Sequence, residues 1–483
     1  TTGDFNVAVG MYSLDANTTA DSNTAVGYQS LTTNTTGHSN VAMGTNAMNG
    51  NTTGNFNTGI GFQTLANNAT GSNNAGLGYN ALVNNTTGGN NTASGYQSLA
   101  TNTTGAENTA VGLNSLYSNT TGSSNVAVGR SALEANTTGG DNVAIGELTM
   151  ENNTTGVRNT GVGTNALFTG TTGDDNVAIG NAALYALTTA SDNTAVGSDA
   201  GKALTTGTGN TALGYSALAT EDAHGNNTAI GWSTLKNLNA GAEGNNTAVG
   251  YDAGRNMGIG TQNTLVGKSA GTAITTATWT TAVGTGAGAA ITTGTQNTFI
   301  GGGAGDATTT GASNTSIGYA SLGSNTTASN NTGLGYAALA ANTTGSENTA
   351  VGRNALDANT TGANLVAMGN GALGANTTAS YNTGIGEQAL AANTTGAANV
   401  ALGSYALDAN TTASDNTAIG ASSLTTNTTG ANNVAVGRDA LGANTTASSN
   451  TAVGYYTGKA NTTGNENTFV GNLAGTAVTT GAD

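Results

Sequence analysis

Residues able to do chemistry are few in this chain and widely scattered. Its two histidines, His38 and His224, stand far apart, and neither has carboxylate and nucleophile partners at a spacing that would build a catalytic triad or a metal site. The run Gly301-Gly302-Gly303-Ala304-Gly305-Asp306 has the look of a calcium-binding turn, but it occurs once and lacks the ladder of Asp ligands such turns need. Gly258-Ile259-Gly260 lacks the strand–helix setting of a phosphate loop. No catalytic, cofactor-binding or metal-binding residue is therefore assigned. Asn-Thr-Thr, an N-glycosylation acceptor, recurs at Asn17, Asn34, Asn51, Asn85 and Asn325 among others. It reads either as a glycan site or as a buried Asn ladder, and the second is favoured because Leu or Ile replaces this Asn elsewhere. One recurring position carries Tyr28, Tyr79, Tyr96, Tyr215, Trp232, Tyr251, Tyr319, Tyr336 and Tyr455, with Phe62. Arg130, Arg353 and Arg438 occupy the same position, which argues for exposure. These aromatics are the candidate surface contacts, suited to stacking on a sugar or anchoring a partner; the competing reading is packing between neighbouring coils or protomers.

The element that positions all of them is a repeat. A unit close to N-T-A-V-G-x-x-A-L-x-x-N-T-T-G-x-x starts at Asn6, Asn23, Asn40 and onward to Asn227, then resumes at Asn246 after a two-residue insertion and runs to Asn467. There are 28 copies of about 17 residues. Self-similarity at a fixed period signals a solenoid, and a unit this short must stack on its neighbours to bury its apolar side chains. The fold expected is all-β, a parallel β-solenoid of 28 coils in a single continuous array over 1–483. The array is regular over 1–164, degenerate over 165–310 with the insertion near 236–245, and regular over 311–483. Lys202, Lys236, Arg255, Lys268, Trp232 and Trp279 gather in the degenerate block, which reads as a specialised binding or bending zone or as simple repeat decay.

Counting slots from the leading residue, slot 1 is Asn in 26 copies, with Thr280 and Leu365 the exceptions, and slot 5 is Gly in all 28. A Gly held so strictly implies positive φ or a backbone approach too close for a Cβ. Slots 2 and 4 are β-branched or apolar except at Ser94, and slot 3 is mostly Ala or Gly. Strand alternation then suggests slots 2 and 4 inward, and slots 1, 3 and 5 outward, with the flat Ala/Gly face free to make contacts. Slot 9 is Leu or Met in 21 copies and Gly in seven: Gly201, Gly254, Gly271, Gly288, Gly305, Gly458 and Gly475. In five of those seven, slot 12 turns apolar, at Leu204, Met257, Ile274, Ile291 and Val478. Bulk moves three residues along to fill one interior space, as close packing requires. Slots 9 and 12 are thereby placed inside. Two strands per coil are expected, over slots 1–5 and 7–10. With ~4.8 Å between strands, 28 coils would make a rod of roughly 130 Å. Slot-12 Asn would stack along it, and one Thr of each pair, such as Thr18-Thr19, Thr35-Thr36 or Thr360-Thr361, would face out.

Composition narrows the function. Net charge is −16 with only nine Lys plus Arg, so there is no basic stripe for nucleic acid. Cys is absent, which removes disulfides and thiolate metal sites. No apolar stretch of membrane-spanning length appears. The chain opens in mid-unit at Thr1-Thr2-Gly3 and closes in mid-unit at Thr479-Thr480-Gly481, without an initiator Met or a signal peptide. That pattern suggests a segment of a longer fibre, or a subunit whose ends others cover.

The segments N-T-A-V-G-Y-Q-S-L at 23–31 and N-V-A-V-G-R-S-A-L at 125–133 resemble repeats of bacterial surface proteins and phage tail-fibre proteins. They are also similar to the N-x-V-A-I-G-x-x-A repeats of YadA-like heads in trimeric autotransporter adhesins. The resemblance covers the whole chain. It implies a left-handed parallel β-roll, commonly a homotrimer, serving attachment outside the cell or on a virion. The unit here is longer than in those heads, with the extra residues near N-T-T-G, so their trimer geometry does not transfer. No family binding residue carries over either, because the repeat itself is structural. The function expected is a non-enzymatic structural fibre or stalk of an extracellular appendage, surface adhesin or tail fibre, self-associating as a homotrimer or filament and needing no cofactor. The alternative is a binding rod that adheres to glycan or ice through its aromatic or Thr rows.

Overall fold

The computed structural model describes residues 2–481; Thr1 of the opening triplet lies outside them. Among the described residues every regular element is a strand, three residues long and one per coil, from Val7–Val9 to Thr468–Val470. No helix there is long and apolar enough to cross a membrane. The chain divides into two compact units, Thr1–Gly244 and Asn245–Asp483, and the division falls within the inserted stretch. In each unit the strands pair in parallel, each residue facing the one 17 positions on: Val7 with Thr24, Ala8 with Ala25, and likewise Thr247 with Thr264. The chain is a β-solenoid.

Inside and outside are the reverse of the expected phase. Slot 3 is the core position, with Ala25, Ala110 and Ala350 at 0 % exposure, whereas slots 2 and 4 of the same strands are half-buried or exposed. Slot-1 Asn is buried as well, Asn23, Asn40 and Asn57 among them. The reason is width. The slot-9 side chain reaches across the coil from the opposite wall, so a Cβ added at Gly59 would come within 2.9 Å of the Met48 side chain. Opposite a Leu or Met at slot 9 only small residues fit at slot 3, and the β-branched ones are left on the outer face. The Ala/Gly row is therefore no free contact surface.

The expected second strand is absent. Slots 6–11 form a turn in which slots 7 and 9 take left-handed backbone, as at Gln97 (φ 53) and Leu99 (φ 52), and slot 17 does the same, as at Glu107 (φ 61). Coils still pair here: Gln97 N–H donates to Tyr79 O at 2.8 Å, Leu99 N–H to Ser115 O at 2.9 Å and Thr101 N–H to Tyr117 O at 3.1 Å. A left-handed Leu is strained. It persists because this backbone aims the side chain into the core, where Leu99 is 0 % exposed.

The same geometry explains the glycines of slot 9. Gly288 and Gly305 keep the left-handed φ, 56° and 58°, without strain. Bulk arrives from slot 12, as expected at Ile274 and Ile291, both 0 % exposed. It also arrives from slot 3, which the sequence did not reveal. An added Cβ at Gly305 would lie 2.6 Å from the Phe299 ring, and one at Gly458 would lie 2.7 Å from the Phe469 ring. These are the two coils in which slot 12 keeps a polar residue, Thr308 and Asn461. All seven slot-9 glycines belong to one packing rule once both sources are counted.

Four substitutions test this account. Gly129 has φ 138° and its Cβ would lie 2.3 Å from Gly146 O, so Gly129→Ala is expected to cost about 3 kcal/mol or more in denaturant unfolding; Gly241→Ala, with nothing within 4 Å, should be near neutral. Phe299→Ala should cost about 3–5 kcal/mol, and adding Gly305→Leu should recover part of it by restoring the majority packing.

Candidate functional site

The nine candidate aromatics do lie on the surface. Tyr28, Tyr79, Tyr96, Tyr215, Trp232, Tyr251, Tyr319, Tyr336 and Tyr455 are between 43 % and 63 % exposed. The positive-φ Gly just before each one turns the chain out of the strand, so slot 6 projects from the corner. Where adjacent coils both carry an aromatic the rings stack: Phe62 on Tyr79 at 5.2 Å and Tyr79 on Tyr96 at 5.1 Å. Tyr215 stacks on Trp232 and Tyr319 on Tyr336 in the same way. Tyr28 meets Tyr12 edge-on, and Tyr455 meets Tyr456, whose face carries Lys459 Nζ at 3.9 Å. These rings pack on one another between coils, as the packing reading expects, and they keep a face exposed to solvent. A second stack, Phe168 on Tyr185, belongs to slot 10 and was not anticipated.

Beyond the first coil, where Asn17 is half-buried, the Asn-Thr-Thr asparagines are buried, as the ladder reading requires. Asn34, Asn51 and Asn85 are 0 % exposed, and each side-chain amide donates both to the Asn of the preceding coil and to a carbonyl three residues on, as in Asn51 to Asn34 Oδ1 at 2.8 Å and to Gly54 O at 3.1 Å. A folded coil offers a glycosyltransferase no access to them. Within each Thr pair the roles divide. Thr103 Oγ1 donates to Thr120 O of the next coil at 2.9 Å, while Thr104 is exposed, so one Thr row faces out.

Two ion pairs join neighbouring coils, while others, such as Lys202 with Asp199 and Arg255 with Asp252, form within one coil. Arg158 holds Asp175 by two bonds of 2.7 Å, which draws that carboxyl below its ordinary value. Arg130 pairs with Glu147. Glu151 is pushed upward, first by partial burial and then by Glu134 one coil away.

His38 sits edge-on to Phe56 with Nδ1 3.3 Å from Ser39 Oγ. His224 is different, and here the sequence reading needs correction. It does have a carboxylate partner: Nδ1 lies 3.4 Å from Oε1 of Glu221, and the donor atoms of Glu221, Asp222 and His224 all fall within 4.8 Å of one another. Glu-Asp-x-His carries no message as a bare spacing. The signal lay in the slots, because Glu221 stands where the repeat has Asn and His224 where it has Gly or Ala.

The chain was compared with known protein families and with curated proteins: no family model matches it, and no curated protein does.

A raised carboxyl means the folded state holds its proton more tightly than the unfolded chain does. Stability is then lost as pH climbs through the raised value, and the cost persists at neutral pH. Glu151→Gln should therefore stabilise the fold slightly at pH ~7, by no more than about 0.5 kcal/mol for so solvated a group, read as a small rise in melting temperature, with the gain vanishing below its ordinary 4.5.

Proposed function

We propose that this chain is a non-enzymatic structural rod, a fibre or stalk segment of an extracellular appendage, surface adhesin or phage tail fibre. The observation that carries the reading is axial continuity. In most regular coils of both units, backbone groups, slot-1 and slot-12 Asn and slot-13 Thr bond to a neighbouring coil in one register, for example Asn125 N–H to Asn108 Oδ1 at 3.0 Å and Thr120 Oγ1 to Thr137 O at 3.0 Å. Such a molecule works by length and stiffness. The resemblance to adhesin and tail-fibre repeats supports the same role and an extracellular or virion location.

Self-association belongs to this reading, with a second copy as the occupant of the outer strand face. Slots 2 to 4 carry no charged residue in any copy. Slot 4 leaves Leu77, Val111, Ile145, Ile179 and Leu213 between 38 % and 52 % exposed. A strip three residues wide over the strands from Val7–Val9 to Thr228–Ile230 covers roughly 650 Å² at standard strand spacings. A standard interface takes about 800 Å² per partner, and an uncharged apolar strip of this size favours pairing with its like.

A second reading, adhesion to glycan or ice, is favoured by two features. Tyr79 and Tyr96 form a flat exposed stack, and Thr247, Thr264, Thr281, Thr298, Thr315, Thr332 and Thr349 stand in unbroken register on the strand face. Specific capture on a glycan array, or thermal hysteresis, would support it.

For the structural reading, light scattering of the whole chain should report an oligomer, and electron microscopy should show rods. The pair Val111→Lys with Val128→Lys should reduce the mass to that of a monomer while the circular dichroism stays unchanged. A wild-type chain that remains monomeric at high concentration removes self-association from the proposal. Immunogold label confined to the cell interior removes the appendage.

A further inference from the structure

Glu221 is the one carboxylate fully buried among the described residues, at 0 % exposure. It occupies slot 12 between two coils that place Leu204 and Leu238 there, each also fully buried. Its oxygens accept two backbone N–H groups, Oε1 from His224 and Oε2 from Ala240, both at 3.1 Å. Two amides soften the desolvation of a carboxylate, but a buried charge needs an opposite charge as well. Nδ1 of His224 points to what supplies it. This nitrogen is buried and makes no hydrogen bond, although it lies 3.4 Å from Glu221 Oε1. That separation is the one expected of two donors on a single tetrahedral cation. At metal–ligand distances of about 2.0–2.2 Å, neighbouring ligands stand roughly 3.3–3.5 Å apart. Asp222 is exposed, and it offers a third donor, with the ligand atoms of all three residues within 4.8 Å of one another.

We propose that Glu221, Asp222 and His224 form a binding site for one divalent transition-metal ion, with zinc the best fit. Imidazole nitrogen with carboxylate oxygen is a zinc donor set, and a water completes four-coordination. Calcium and magnesium fit poorly because both require all-oxygen surroundings with more ligands. The cation neutralises the buried carboxylate. Through Glu221 Oε2 on the Ala240 amide, it also fastens the inserted stretch to the regular coil before it. The site is a structural clip at the one place where the repeat length changes. It stands whether or not the chain serves as a fibre.

The test uses the full chain, stripped with a chelator and titrated with zinc chloride by calorimetry. One zinc per chain is expected, with calcium chloride and magnesium chloride at least ~100-fold weaker. His224→Asn and Asp222→Asn change half-exposed and exposed side chains, so both variants should fold, and each should weaken zinc by ~10-fold or more. Glu221→Gln should abolish binding, but it also disturbs the core, so the other two variants decide. Limited proteolysis gives an independent readout: zinc should slow cleavage within 236–244 in the wild type and not in His224→Asn. Absence of stoichiometric uptake by the wild type overturns the proposal. So does uptake that both variants leave unchanged, since the zinc would then bind elsewhere.

Discussion

A β-carbon added at Gly129 would lie 2.3 Å from the carbonyl oxygen of Gly146, and the same conflict recurs at slot 5 of coil after coil. Backbone meets backbone at these corners with no side chain between. That approach brings the coils to hydrogen-bonding distance all the way round and not only along the strand. It fixes the register, because a slip by one residue would put a Cβ where none fits. It also sends slot 6 outward, which is why the aromatic row is exposed.

The interior that this stacking encloses is narrow and half polar. Its polar half works because nearly all of it is engaged, with Thr280 Oγ1 and Asn444 Oδ1 among the exceptions. Asn40 and Asn51 both donate to the carbonyl of Gly54, and the oxygen of each Asn receives a donor from the following coil. Buried amides contribute specificity when every partner is present and are costly when one is missing. Leu365 still donates its N–H to Asn348 but offers nothing to the coil beyond, so the slot-1 ladder is interrupted there. Interruptions of this kind are few, and the repeat tolerates them singly.

Much of this was legible in the residues. The period, the strictness of slot 5 and the exchange of bulk between slots 9 and 12 all came from counting, and each reflects a steric rule that residue type reports directly. The phase of the strand was not legible. Hydrophobicity ranks Val26 above Ala25, but the coil is too narrow for a valine inside, and only the opposite wall reveals that. Left-handed backbone at Leu99 and Gln97 was also hidden, because neither residue type favours it and tertiary packing imposes it. The Glu221 cluster was missed for a related reason. Its members are meaningful only as departures from slot occupancy, and what those slots do became clear once the core was seen.

Because the bonds between coils run along the stacking direction, a pull on the two ends of such a stack strips coils one after another instead of shearing a sheet. Each coil that peels away exchanges a rise of ~4.8 Å for roughly 60 Å of free chain. A stack of this design resists compression and bending but yields under tension, giving way in many small equal steps.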